Sequence, residues 1–159
     1  MTTAKIAKNA NVSPATIYIH YRDKTDLISR VYEEVKASIQ SGLSEVINDQ
    51  DSIDEQVEAL LKFIVRGFYK HPDEYNFIKV VWNNQELLDD HAIKFETELN
   101  KTLSKLFKRI NDDDEYVTVS QPVFDIFFSV PTLILDRDAK IEQNQIDTII
   151  GMVKKAIKK

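Results

Sequence analysis

Ser13-Pro14 is the mark of a helix start. Serine caps the first free N–H groups of a helix, and proline at the next position is already set to the helical φ, where its missing N–H is not needed. Similar punctuation recurs along the chain. Thr2 or Thr3 can cap a short helix reaching about Asn9, Asp23 with Asp26 a third helix, and Ser52 with Glu55 forms a capping box. Pro72, Asp89 or Asp90, and Asn144 open further segments. Between these starts the apolar residues recur at helical spacing. Leu27, Val31, Val35, Ile39, Leu43 and Val46 form one stripe, predicting a helix over residues 24 to about 48. Ile53, Val57, Leu60, Leu61, Ile64 and Phe68 form the next, and a helix from Pro72 carries Tyr75, Ile78, Lys79 and Trp82 one turn apart. Ile93, Leu99, Leu103, Leu106 and Ile110 predict one helix reaching a polar break at residues 111–115. The apolar run over residues 117–135 is too long for a strand and predicts a buried helix kinked at Pro131. Ile146, Ile149, Ile150, Val153 and Ile157 mark a last helix. With only three glycines and four prolines, the turns of a sheet fold are poorly supplied, so the expected class is all-α.

Composition narrows the function. The chain has no cysteine, which excludes disulfides, thiolate catalysis and Cys-based zinc sites and fits a cytoplasmic location. No apolar run reaches the ~18 residues of a membrane span, and Met1-Thr2-Thr3-Ala4-Lys5 is not the start of a signal peptide. Net charge is −5, unevenly spread: residues 1–24 hold Lys5, Lys8, Arg22 and Lys24 against Asp23 alone, leaving an acidic remainder. A positive tip on an acidic body suits a protein that meets phosphate at one end.

That tip also carries the most specific pattern. Two short helices separated by Ala10-Asn11-Val12 have the turn length of a helix-turn-helix. Ile6, Ala7, Val12 and Ile17 are spaced to pack them together. The second helix then presents Pro14, Ala15, Thr16, Tyr18 and His20 near its N-terminus, the end by which such helices touch base edges. The methyl groups of Ala15 and Thr16 can meet a thymine methyl. The pattern Thr3-x-x-Ile6-Ala7, Val12-Ser13-x-x-Thr16-Ile17-Tyr18-x-His20-Tyr21-x-x-Lys24-x-x-Leu27 resembles the TetR family of bacterial regulators.

The resemblance implies roles for matched positions. Thr3 stands where the family grips a phosphate; Ser13, Pro14, Ala15 and Thr16 stand at the groove-facing start of the recognition helix. Tyr18, Tyr21 and Lys24 match backbone-holding positions, and His20 one that can do either, so that phosphate contacts set register and base contacts carry specificity. It divides the chain into a helix-turn-helix unit, residues 1–24, and a helical effector-binding and dimerisation domain, residues 25–159. Family members carry a further helix ahead of the position of Thr3; since the sequence begins at Met1, that helix is expected to be missing from it. The implied partners are double-stranded operator DNA, a small-molecule effector and a second copy of the chain, with no membrane, no metal and no cofactor.

For the dimer, the expected surface is Val123, Phe127, Val130 and Ile134 with Ile146, Ile149, Ile150 and Val153, and Gly151 is expected to allow close helix approach. For the effector, the candidate lining is Phe63, Tyr69, Tyr75, Trp82, Phe95 and Phe124, since apolar and aromatic walls are usual in such sites. The expected function is a ligand-responsive repressor that releases its operator when the effector binds, the helix from Lys24 acting as lever. The rival is a helical dimeric ligand-sensing or protein-binding module that does not bind DNA, for want of the first helix. An enzyme is not expected: His20, His71 and His91 are scattered, Asp112-Asp113-Asp114-Glu115 reads as a solvated break, and no Gly-rich phosphate loop or nucleophile motif is present.

Overall fold

The computed structural model describes residues 2–135 and 141–159; Met1, the first residue of the helix-turn-helix unit as bounded above, lies outside them. The described residues form α1 (Thr3–Asn9), α2 (Pro14–His20), α3 (Lys24–Gln40), α4 (Leu43–Val46), α5 (Ile53–Lys70), α6 (Pro72–Trp82), a 3-10 turn at Gln85–Leu87, α7 (Asp90–Leu99), α8 (Lys101–Asp112), α9 (Gln121–Leu135) and α10 (Gln143–Ala156). The fold is all-α. Among the described residues no helix is long and apolar enough to cross a membrane.

Helix starts fall where the caps place them. Thr2, Ser13, Asp23, Ser52 and Asp89 each accept a backbone N–H of the following turn, and Ser52 with Glu55 completes a capping box. Helix ends depart from expectation in three places. The stripe from Leu27 to Val46 is cut after Gln40, because Gly42 adopts φ +83, a left-handed conformation that glycine takes without strain, and α4 starts in a new direction. The stripe from Ile93 to Ile110 is two helices, with Asn100 ending α7 and preceding α8; Asn100 donates to Glu96 Oε1 at 2.8 Å and accepts from Gln40 at 2.9 Å, bonds that hold the corner. The expected break at 111–115 shortens, since α8 runs through Asp112. Residues 117–120, expected in the long apolar helix, lie outside it, since α9 starts at Gln121. The Asn111 side chain brackets Val119 N and O at 2.8 and 3.1 Å, and Val117 N–H pairs with Ile157 O at 2.9 Å. The helix α9 continues through Pro131, which is buried.

Three apolar clusters hold these helices. Ala7, Ile17 and Leu27 form a small one, backed by Ile6, Tyr21 and Val31, and so tie α1 and α2 to the start of α3 across the boundary at residue 24. Tyr32, Ile78, Val81, Leu88 and Ala92 join α3, α6 and α7. The largest gathers α5, α8, α9 and α10 around Leu60, Leu61, Leu106, Ile110, Phe124, Phe128, Ile146, Ile150 and Val153.

Two helical glycines have opposite surroundings. A Cβ on Gly67 would run into the Tyr75 hydroxyl and stand 2.9 Å from its Cζ. Gly67→Ala is therefore expected to lower the melting temperature even though alanine gains ~1 kcal/mol in a helix, because overpacking costs roughly 1–3 kcal/mol; the double variant with Tyr75→Leu should lose less than the two single changes summed. Gly151 meets nothing within 4 Å, so the close approach expected for it is not made within this chain. Gly151→Ala should raise stability by up to ~1 kcal/mol in urea denaturation.

Candidate nucleic-acid interface and dimer face

The turn between α1 and α2 is set by Asn11 at φ +54, a conformation asparagine tolerates better than most residues. Ser13 Oγ then accepts Thr16 N–H at 3.1 Å and lies 2.9 Å from Thr16 Oγ1. Both hydroxyls, expected at the groove, are thus oriented by the cap. Ile17 points inward, which at 3.6 residues per turn puts Ala15, Tyr18 and Ile19 on the outer side. Pro14, Ala15, Tyr18 and His20 are exposed and Thr16 is half-buried. The Tyr18 hydroxyl donates to Thr3 Oγ1 at 3.2 Å, so two of the phosphate-gripping candidates, from different helices, are brought together.

Tyr21 and Lys24 stand apart from that pair. Tyr21 packs half-buried on the small cluster with Ile17 and Leu27. Lys24 is the first residue of α3, where a cation opposes the helix dipole; a nearby phosphate would compensate. Arg22 is drawn back by Asp26, which accepts its backbone N–H at 3.0 Å and its guanidinium at 3.3 Å; those bonds hold the Asp26 carboxyl below the usual carboxylate range. Lys5 and Lys8 are exposed on α1. Two expectations need correction. Val12, expected between the helices, is exposed. Ile19, absent from the candidates, is 77% exposed on the outer side of α2. Its signal was in the spacing: Ile17 and Ile19 lie ~200° apart on a helix and cannot both face the core.

The dimer candidates divide. Ile146, Ile150 and Val153 are buried in the chain's own core, sharing with Ile157 the inward side of α10, so their surface is already used. Val123 is exposed, and Phe127, Val130, Ile134 and Ile149 are half-buried. With them lie residues the sequence reading passed over: Ile126, Leu133 and Met152, 61%, 44% and 65% exposed. Residues 123, 126, 127, 130, 133 and 134 repeat at three and four, giving one continuous apolar stripe along α9.

The aromatic candidates do not converge on one cavity. Phe124 is buried, in an edge contact with Phe107 and a tilted one with Phe128. Phe63 and Tyr75 pack on the largest cluster, where burial pushes the Tyr75 phenol up to about 12. Phe95 is half-buried on α7. Tyr69 is exposed and donates to Ile141 O at 3.2 Å, and Trp82 is exposed with Lys36 Nζ 6.0 Å from its ring. A cleft of about 500 Å³ between α5 and α10 is lined instead by charge: Asp54, Glu58, Asp147, Lys62, Lys154, Lys155 and Lys158. There Lys154 and Lys62, at 2.7 and 2.6 Å, pull the Glu58 carboxyl down to about 2.

Comparison with known proteins agrees with the all-α fold and its helix-turn-helix unit. Residues 1–31 match the family described as bacterial regulatory proteins, tetR family. The nucleoid occlusion factor SlmA of Aliivibrio fischeri is 28% identical over 111 residues, 69% of this chain and 52% of that protein, so the chain spans about half the length of the curated relatives it matches. Among solved structures, a TetR family transcription regulator from Marinobacter aquaeolei superposes with TM-score 0.77 at 16% identity, covering 99% of this chain and 85% of the other. A TetR family protein from Vibrio parahaemolyticus superposes with TM-score 0.68 at 17% identity, covering 100% and 88%. At such identity these likenesses establish the fold.

Proposed function

We propose that the chain is a regulator of the tetR family, which binds operator DNA as a homodimer and regulates transcription. The observation that carries this is α2: anchored by Ile17, capped by Ser13, it turns Pro14, Ala15, Tyr18, Ile19 and His20 to solvent beside Thr3. The apolar surfaces of Ala15 and Ile19 suit thymine methyl groups, and the hydroxyls of Thr3 and Tyr18 with the ammonium of Lys24 suit phosphate. Twofold pairing along the α9 stripe would set two recognition helices about one DNA turn, ~34 Å, apart. Repression relieved by an effector is the mode we favour. α3 carries side chains of both the small cluster and the cluster shared with α6 and α7, so a shift among those helices reaches the DNA-facing unit. The charged lining of the α5–α10 cleft favours a polar effector over the apolar one the aromatics suggested. A regulator of this kind would act without catalysis and in the cytoplasm, where the operator is.

The test is a fluorescence polarisation titration against the chain's own upstream promoter DNA, at low and physiological salt. Saturable binding that exceeds random DNA at physiological salt supports the proposal; a folded helical dimer with no such preference sinks it and leaves the sensing or protein-binding module. Lys24→Ala should weaken promoter and random DNA alike and reduce the salt slope by about 1, since a phosphate contact carries no sequence information.

A further inference from the structure

His91 meets Glu33, an acid fifty-eight residues away in sequence, beside Asp89 of its own segment. Arg30 of α3 donates through Nη1 to both oxygens of Glu33 on its own helix at 2.7 and 2.6 Å, and reaches across through Nη2 to both oxygens of Asp89, the cap of α7, at 2.9 and 2.6 Å. His91 Nδ1 lies 2.8 Å from the same Nη1 and 2.7 Å from Glu33 Oε1. Neither form of the ring satisfies both neighbours. With a lone pair on Nδ1 it accepts from Arg30 but confronts the carboxylate; with a proton there it donates to Glu33 but confronts the arginine N–H. Arg30 Nε, in turn, is buried without a hydrogen bond, 3.6 Å from Asp26 Oδ1. The guanidinium thus bonds both carboxylates but leaves its Nε without a hydrogen bond and His91 Nδ1 with one neighbour unsatisfied, among three electron-pair donors that all lie within 4.8 Å of one another.

We propose that Glu33, Asp89 and His91 form a binding site for a divalent first-row transition metal ion, which takes the place of the Arg30 guanidinium. One imidazole nitrogen with two carboxylates is a donor set that zinc, manganese or iron(II) accepts. Two donors each ~2.1 Å from an ion stand at most ~4.2 Å apart, so the trio must close slightly. The His91 side chain, 70% exposed, is free to turn and leaves a side open to water. Asp89 is held in place by the bonds a ligating carboxylate needs: its Oδ1 accepts Ala92 N–H at 2.9 Å, and its own N–H donates to Ser29 Oγ at 2.9 Å. The displaced Arg30 has a seat at Asp26, where Nε gains its missing partner. Asp26 already holds Arg22 at the end of the helix-turn-helix unit, so occupancy redistributes the ion pairs at the root of that unit.

Equilibrium dialysis of the full chain against Zn²⁺, with bound metal read by atomic emission, tests this without recourse to DNA. One ion per wild-type chain is expected. His91→Ala should weaken binding roughly tenfold or more, and Arg30→Met, which removes the competing cation but keeps the stem, should tighten it. His71→Ala, which removes the other surface His–carboxylate pair (His71 with Glu74, 3.4 Å), should change nothing. Wild-type protein that retains no zinc, or an affinity indifferent to His91→Ala, overturns the site. His91 is exposed, so its variant keeps the fold, which helical circular dichroism confirms; should Arg30→Met unfold, His91→Ala and Glu33→Gln decide.

Discussion

Ile126→Glu combined with Leu133→Glu is expected to turn the proposed dimer into a folded monomer and to lower affinity for a two-half-site operator by on the order of 100-fold. Both side chains stand on the open stripe of α9, and neither belongs to an apolar cluster of the chain's own core. Among the described residues, their replacement leaves the apolar clusters of the single chain intact. In a symmetric pairing each substitution occurs twice, and every large aliphatic side chain withdrawn from burial forfeits roughly 1.5–3 kcal/mol. The four new carboxylates would also face one another across an apolar seam, where desolvation adds to repulsion. Operator binding falls with the dimer because a lone subunit engages one half-site without the effective concentration its partner supplies. Light scattering gives the mass, circular dichroism the fold, and fluorescence polarisation the affinity. A variant that keeps the wild-type dimer mass shows that the subunits meet elsewhere. A monomer that keeps wild-type operator affinity shows that pairing is not what reads DNA.

The same stripe shows where sequence reasoning reaches its limit. Periodicity identified α9 and α10 as apolar helices but did not say which apolar residues the chain itself covers. Ile146, Ile150 and Val153 go inward because α5 and α9 lie there, a fact of tertiary packing; Ile126 and Met152 stay open because, among the described residues, nothing covers them. Helix starts were legible because a cap is local: Ser13 with Pro14, or Ser52 with Glu55, acts within one turn. The cuts at Gly42 and Asn100 were not, since an apolar stripe continues in phase across a change of helix direction. At the DNA-facing unit the pattern from Thr3 to Leu27 supplied the residue set, but not the bond between Thr3 and Tyr18, nor the exposure of Ile19. Least legible were the polar contacts between α3 and α7, whose members lie about sixty residues apart and belong to no motif.

Among those contacts, Glu96 carries the largest single-residue effect expected on stability. It is only 6% exposed, yet its oxygens accept the Tyr32 hydroxyl at 2.6 Å, Lys36 Nζ at 2.9 Å and Asn100 Nδ2 at 2.8 Å. Tyr32 is fully buried, and burial together with the adjacent carboxylate pushes its phenol far above the usual value. Glu96→Ala strands this hydroxyl and a mostly buried ammonium without an acceptor, and breaking a buried pair by removing one partner costs about 3 kcal/mol or more. For a domain stabilised by roughly 5–15 kcal/mol this is a large fraction. Tyr32→Phe should cost only about 1 kcal/mol, because Glu96 keeps Lys36 and Asn100 and no donor is left stranded. The asymmetry between the two variants is the diagnostic quantity in urea denaturation. Equal losses would mean that Glu96 is held by its packing rather than by charge. Hydrogen exchange adds a second check: if these bonds clamp α3 to α7, amide protection in Glu96→Ala should fall along both helices while α9 and α10 keep theirs, since their core shares no residue with this contact. Such uncoupling would leave the bonds of Asp89 to Arg30 and Ser29 among the remaining polar links between α3 and α7, the contacts the proposed metal would rearrange.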